Sequence, residues 1–191
     1  NKQTIHAGLK ETRTGLRQAG SAFAFSGYVG SARAVHKIVF VVQNSLAGEP
    51  VDLTPPYTWD EAGTDPDIVV GNTAATIVSY ADENQRLSDV PWSTNFIGTN
   101  NGDTLLEDGE KAEITVWLMD RATGIDTGSD DSIAYMDGNS ANGGGANGII
   151  AGNSLVVKST RFVLEMTPQV GAPLTIQRGI PPGLRAVMNL N

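Results

Sequence analysis

The sequence predicts a mainly β protein: an Ig-like or Greek-key β-sandwich preceded by an N-terminal amphipathic α-helix. Residues 1–37 carry six Lys or Arg against the single Glu11, a net charge of +5. Residues 38–191 carry seven basic residues against twenty acidic ones, a net charge of −13. After residue 37 the chain is a series of short apolar runs separated by Gly, Asn, Asp and Pro, which is typical of a sandwich. We therefore divide the chain into a stalk helix, residues 1–33, and a β-sandwich domain, residues 34–191.

The predicted helix rests on apolar residues at helical spacing. Leu9, Leu16 and Phe23 recur every seven residues, and Ile5 extends the same side. Such a stripe indicates an amphipathic helix that lies along another helix. Three glycines, at positions 8, 15 and 20, each weaken an isolated helix by up to ~1 kcal/mol relative to Ala, so neighbouring chains would have to stabilise it. The alternative is a single helix packed on its own domain.

Strands are predicted from residue 35 onward. Residues 35–44 alternate Ile38, Phe40 and Val42 with Val39 and Val41, which favours a strand buried on both faces. The remaining predicted strands are residues 68–70, 75–80, 112–119, 155–166 and 174–177. Turns or long loops are predicted around 48–50, 55–56, 98–109 and 138–153, where Gly, Pro and Asn are concentrated.

Composition excludes several classes of function. The chain has no Cys, so disulfides, thiolate metal sites and cysteine catalysis are absent. No basic cluster with interleaved aromatic residues is present, so no nucleic-acid partner is expected. His6 and His36 lack a nearby Ser or Asp in a hydrolase-like arrangement, and the glycine-rich stretch from Gly143 lacks the Lys and Ser/Thr of a phosphate loop. We predict that the protein is not an enzyme.

One acidic loop has the spacing of a calcium site. In TNNGDTLLEDGE, oxygen ligands are predicted at positions 1, 3, 5, 7 and 12 of an EF-hand-like loop, with a main-chain carbonyl at position 7. Thr99 replaces the usual leading Asp, and the flanking helices are missing. The alternative is an ordinary acidic turn between two strands. The predicted ligands of Ca²⁺ or another hard divalent cation are Thr99, Asn101, Asp103, Leu105 and Glu110.

Four segments, taken in order, resemble archaellins, the filament subunits of the archaeal flagellum. The first, NKQTIHAGLKETRTGLRQAGSAF, is similar to the distal part of the family's stalk helix, and IVFVVQNSLAGEPVDL is similar to its first outer-domain strand. The segment NNGDTLLEDGEKAEITV is similar to an acidic loop and the strand after it. The most specific match is the archaellin-like C-terminus, FVLEMTPQVGAPLTIQRGIPPGLRAVMNLN.

The resemblance implies an extracellular structural subunit of a filament used for swimming. Its partners would be copies of itself or other archaellins, and Ile5, Leu9, Leu16 and Phe23 would form the polymerisation interface. Archaellins resemble type IV pilins in opening with a strongly hydrophobic helix, and this chain starts beyond such a segment. Contact with a membrane is therefore expected only through that missing part, before assembly.

The alternative function is a calcium-supported cell-surface adhesin or carbohydrate-binding module with a β-sandwich fold. Trp59 and Trp92 fall in predicted loops, where their rings could stack on sugars. Trp117 falls in a predicted strand and is expected in the core.

Overall fold

The fold consists of strands. A computed structural model describes residues 15–45, 49–60, 67–70, 73–121, 132–136 and 148–191, and within these ranges it contains sixteen strands and no helix. The strands are β1 (Leu16–Gln18), β2 (Phe23–Val29), β3 (Ala32–Asn44), β4 (Val51–Asp52), β5 (Tyr57–Asp60), β6 (Asp67–Val70), β7 (Ile77–Asp82), β8 (Arg86–Leu87), β9 (Trp92–Ile97), β10 (Leu105–Leu106), β11 (Lys111–Trp117), β12 (Asp120–Arg121), β13 (Ile133–Ala134), β14 (Arg161–Thr167), β15 (Leu174–Gly179) and β16 (Val187–Asn189).

Two sheets form the layers of the sandwich. The six-stranded sheet has the order β16-β2-β3-β11-β9, with β1 also paired to β3. The four-stranded sheet has the order β15-β14-β7-β8. Three two-stranded pairs, β4 with β10, β5 with β6 and β12 with β13, lie outside these sheets. All of the strand pairs are antiparallel, as expected for a sandwich whose strands are joined by turns.

The core lies between the two sheets and follows from alternation along each strand. Side chains at every second position point inward, because successive residues of a strand face opposite sides. In the four-stranded sheet, Tyr80 stacks on Phe162 with ring centroids 5.8 Å apart. The six-stranded sheet contributes Ala24, Ile38, Phe40, Val42, Trp92, Ala112, Ile114, Val116 and Met188, and the four-stranded sheet contributes Val78, Tyr80, Phe162, Leu164, Met166 and Ile176.

The helix predicted for residues 1–33 is wrong where the structure describes this segment. Residues 1–14 lie outside the described residues, but β1 and β2 are strands of the six-stranded sheet, and the predicted boundary between residues 33 and 34 falls inside β3. Gly20, at a φ of 83°, turns the chain between β1 and β2. From Phe23 to Ser26, buried positions alternate with more exposed ones, and pairing of this strand to β3 outweighs the seven-residue spacing.

Most strands predicted after residue 35 are confirmed, with shifted ends. The predicted strand 155–166 starts only at Arg161, and the predicted 98–109 loop contains β10. Trp92 is a fully buried strand residue and not a loop residue, so its ring cannot stack on a sugar as the adhesin alternative requires. Trp117 is buried, as predicted. Trp59 lies in β5 rather than in a loop.

We predict that Leu16 stabilises the β domain. Its side chain is fully buried in the core, so Leu16→Ala should lower the free energy of unfolding by about 2–5 kcal/mol. Phe23→Ala is the matched control: its side chain is 38% exposed, and its loss should cost about 1 kcal/mol. Thermal and urea denaturation of both variants would measure the difference. Equal losses of stability would contradict the assignment of Leu16 to the core.

Candidate functional site: interaction surfaces

The six-stranded sheet has an apolar outward side that no described part of the chain fully covers. Val187 lies opposite Phe25, which lies opposite Lys37, and Phe23 lies opposite Val39. Phe23 is 38% exposed and Val187 is 48% exposed. We call these five residues the outer face. Contiguous exposed apolar side chains on a folded domain mark interaction sites more often than isolated ones do.

A lysine sits between aromatic rings on the outer face. The Nζ of Lys37 is 4.8 Å from the ring centroid of Phe25 and 5.0 Å from that of Trp117. The Trp117 indole N–H donates to Ser93 Oγ at 3.2 Å, which fixes the indole against β9. An ammonium group near two ring faces is held by cation–π attraction while its charge stays near the surface. The outer face is therefore apolar with a fixed positive charge.

The four residues predicted to form the polymerisation interface have different positions. Ile5 and Leu9 lie outside the described residues. Leu16 is buried in the core and cannot reach another chain, whereas Phe23 lies on the outer face. Phe25 and Val187 were not among the predicted interface residues. The spacing of Phe23 and Phe25 by two residues could have indicated a common face of a strand, but only the pairing of β16 with β2 brings Val187 beside them.

The acidic loop between β9 and β11 is built around the carboxylate of Glu110. Glu110 is buried, its Oε1 accepts the main-chain N–H of Asn101 at 3.3 Å, and its Oε2 accepts that of Glu107 at 3.0 Å. The side chains of Asn101 and Asp103 cap main-chain N–H groups two residues further on, at 3.0 and 2.8 Å. Gly109, at a φ of 84°, closes the turn in which the Glu110 N–H donates to the Glu107 carbonyl.

The calcium prediction finds no support in this arrangement. The structure brings Asn101 next to Glu110, but both carboxylate oxygens of Glu110 face main-chain N–H groups. Thr99 and Asp103 are exposed, and Leu105 begins β10. Across the described ranges, no group of three or more His, Cys, Asp or Glu side chains is placed to hold a metal ion. Cation binding by this loop stays a prediction.

The polar residues in and beside the core include Tyr80, Asp82 and His36. The Tyr80 hydroxyl donates to Asp82 Oδ2 at 2.8 Å, and burial together with this hydrogen bond raises the pKa of Tyr80 above its ordinary value. Asp82 Oδ1 also accepts the main-chain N–H groups of Asn84 and Gln85, which fixes the β7–β8 turn. His36 is buried in β3, with its ring 6.4 Å from the Trp117 ring. His6 lies outside the described residues.

The comparisons with known proteins point to one family. The chain is 23% identical to a probable flagellin 1 from Archaeoglobus fulgidus over 194 residues, which cover 99% of this chain and 76% of that protein. Its fold is similar to a subunit of the archaeal flagellum of Methanospirillum hungatei, with a TM-score of 0.52, 15% identity and coverage of 99% of this chain and 77% of that one. An archaeal flagellin from Methanocaldococcus jannaschii gives a TM-score of 0.54 at 10% identity, over 93% and 96% of the two chains. No family model matches the chain.

These matches confirm the resemblance to archaellins and the β-sandwich predicted from the sequence. Within the part of the chain that the structure describes, no helix has the length and apolar character needed to cross a bilayer.

We predict that Glu110 holds the acidic loop together. Glu110→Ala leaves the Asn101 and Glu107 N–H groups without their charged acceptor, which should cost about 2–4 kcal/mol. Glu107→Ala is the matched control, since its exposed carboxylate accepts only the Asn101 side-chain amide and its loss should cost about 1 kcal/mol or less. Thermal melts and amide hydrogen exchange at residues 101 and 107 measure the effect. Unchanged amide hydrogen exchange at these residues in Glu110→Ala would contradict the predicted role of Glu110 in holding the loop.

The calcium prediction has its own test. Binding of Ca²⁺ to the folded state alone would raise the free energy of unfolding by about 2.7 kcal/mol at a hundredfold excess over Kd, so the melting temperature should be higher in millimolar calcium than in EDTA. Asp103→Ala should abolish that difference. Identical melting of the unmutated protein in calcium and in EDTA would show that the loop is an acidic turn without a cation.

Proposed function

Since this chain is a homologue of archaeal flagellins, we propose that it is a structural subunit of an archaellum filament. It is an extracellular structural protein, not an enzyme, and it assembles with copies of itself or with other archaellins for motility. The observation that carries this proposal is the extent of the similarity to flagellin 1, which covers 99% of the chain. The adhesin alternative has no comparable support. Of the two tryptophans that it requires to stack on sugars, Trp92 is buried.

We propose that the outer face contacts a neighbouring subunit. It combines the exposed side chains of Phe23 and Val187 with the Lys37 ammonium. Residues 38–191 carry a net charge of −13, so the surface of a second copy is acidic on average. An apolar face that carries a lysine fits such a partner better than an acidic part of the domain does, because like charges at a contact repel.

Two further parts of the interface remain proposals that follow from the family. Ile5 and Leu9 would pack against stalks of neighbouring subunits, in line with their spacing. Leu16 is removed from this interface because it is buried in the domain core. Contact with a membrane before assembly is likewise a proposal that follows from the family alone.

The proposed function is tested by genetic complementation. The full-length coding sequence is expressed in an archaeal host from which the archaellin genes have been deleted, and cells are examined by electron microscopy and in swimming assays. Filaments that contain this chain, identified by mass spectrometry of sheared material, are the expected result. Cells that secrete the folded protein but carry no filaments would contradict the proposal.

We predict that the outer face contributes to filament stability. Phe23→Thr combined with Val187→Thr keeps residues that favour strands but removes exposed apolar area, so the melting temperature of the subunit should fall by only a few degrees. Filaments of this variant should dissociate at lower temperature or fail to form. Ile150→Thr with Val170→Thr is the matched control, because these two side chains are 49% and 47% exposed and neither belongs to the outer face. Equal filament stability in the two double variants would show that the outer face is not an interface.

A further inference from the structure

A cavity at one end of the four-stranded sheet is lined by two arginines. It has a volume of about 420 Å³ and is lined by Arg161, Gln177, Arg178, Gly179 and Asn191, with no carboxylate side chain among them. Arg161 lies opposite Gly179 in the β14–β15 pair, and Arg178 lies opposite Phe162. We call this the arginine pocket. It brings two arginines to one cavity of a chain whose net charge is −8.

The guanidinium of Arg178 is only partly satisfied within the chain. Its Nη1 donates to the Gln177 carbonyl at 2.8 Å and its Nη2 to Gln18 Oε1 at 3.3 Å, and both acceptors are neutral. Its Nε is buried and has no hydrogen-bond acceptor among the described residues. Guanidinium groups bind carboxylates through paired, charge-assisted hydrogen bonds, so a cavity lined by two arginines favours an acidic ligand.

Basic residues are concentrated near the arginine pocket. The sequence contains seven Lys or Arg after residue 37, and four of them fall between residues 158 and 185. Lys158 and Arg161 are exposed, and the Ser159 N–H donates to the Ile180 carbonyl, which brings this stretch beside the end of β15. Together with Lys37 of the outer face, these residues are among the positive charges that an attractive polar contact between two acidic copies of this chain can use.

The acidic loop lies at the opposite end of the same sheet. The Leu53 N–H donates to the Thr104 carbonyl at 2.9 Å, and Thr76 Oγ1 donates to the Asp52 carbonyl at 2.7 Å. These bonds place the loop beside the start of β7, where Ile77 pairs with Thr167 at the far end of β14. β14 runs seven residues from Arg161 to Thr167, about 20 Å at the rise of an extended strand.

The acidic loop presents fixed negative charge to solvent. Glu107 and Asp108 are exposed at its tip, on a turn closed by Gly109. The buried Glu110 accepts the main-chain N–H of Glu107 and so fixes this turn. A rigid loop loses little conformational entropy on docking. Its carboxylates and the two guanidinium groups are therefore complementary, but they lie towards opposite ends of β14 and do not meet within one chain.

We infer that the acidic loop of one subunit docks in the arginine pocket of the next, with Glu107 and Asp108 facing Arg161 and Arg178. This inference rests on the proposed filament function and names one of its contacts. The two surfaces differ and lie at opposite ends of the sheet, so the contact is heterologous and leaves a free loop and a free pocket after each addition. Contacts of this kind produce open helical polymers rather than closed dimers.

A disulfide trap tests the contact in filaments of the full-length protein. Asp108→Cys and Gln177→Cys are introduced together, and the filaments are oxidised and separated on a denaturing, non-reducing gel. The sequence has no Cys of its own, so the two introduced residues are the only thiols. A disulfide requires Cα atoms within about 7 Å, and positions 108 and 177 lie towards opposite ends of β14, so a bond between them must join two chains. We expect a ladder of dimers, trimers and longer species that collapses on reduction.

The controls separate this contact from other contacts. Each single Cys variant should give no species beyond a dimer. Asp108→Cys with Val170→Cys is the matched double variant, because Val170 is exposed in the turn at the other end of the β14–β15 hairpin. A ladder of equal strength from that variant, or no ladder from Asp108→Cys with Gln177→Cys in intact filaments, overturns the inference. Failure of the unmutated protein to form filaments would instead overturn the proposed function.

Charge reversal provides a second, independent measurement. Arg161→Glu and Asp108→Arg change exposed side chains, and each should raise the subunit concentration needed for filament assembly by about two- to fivefold at low salt. The combined variant should restore assembly to near the unmutated value, and high salt should reduce all of these differences by screening. Additive losses in the combined variant would contradict a direct contact between these two positions.

Discussion

The fold depends on the pairing of β3 along both of its edges. β11 lies along one edge, and β2 and β1 follow one another along the other. The strand's thirteen residues are long enough to carry two partners end to end on one side. Ile38, Phe40 and Val42 then fill the core against the four-stranded sheet. Because strand alternation has period two, this pairing also decides which side chains point away from the core.

The outward side of the sheet follows from that constraint. Once the even positions of β3 are buried, Lys37, Val39 and Val41 must face outward, and Phe23 and Phe25 face outward beside them. The register shift between Phe25 and Ser26 leaves both Ser26 and Gly27 buried. Ser26 then donates to the Arg185 carbonyl at 2.7 Å and accepts from Arg33 Nε at 3.0 Å, which ties the chain before β16 to β2. This arrangement brings Val187 beside the two phenylalanines.

Charge is separated in the fold as well as along the sequence. The carboxylate of Glu110 accepts hydrogen bonds from main-chain N–H groups inside the acidic loop, whereas Glu107 and Asp108 lie at its exposed tip. Arg161 and Arg178 lie at the other end of the four-stranded sheet. A subunit with unlike charges at its two ends and an apolar side has the directional surfaces that a polymer requires, since each copy can contact two others in different ways.

The β class, the central strand and most of the strands after residue 35 could be predicted from the sequence, because alternation and turn residues are local signals. The acidic loop and the buried Trp117 could be predicted as well, and the archaellin resemblance came from short segments in order. Tertiary structure decided that Leu16 belongs to the core, although its seven-residue spacing from Phe23 is typical of a helix; pairing with β3 outweighs that local preference. It decided likewise that Trp92 is buried, that Glu110 bonds to main-chain N–H groups, and that Val187 lies beside Phe25, since each of these depends on residues distant in sequence.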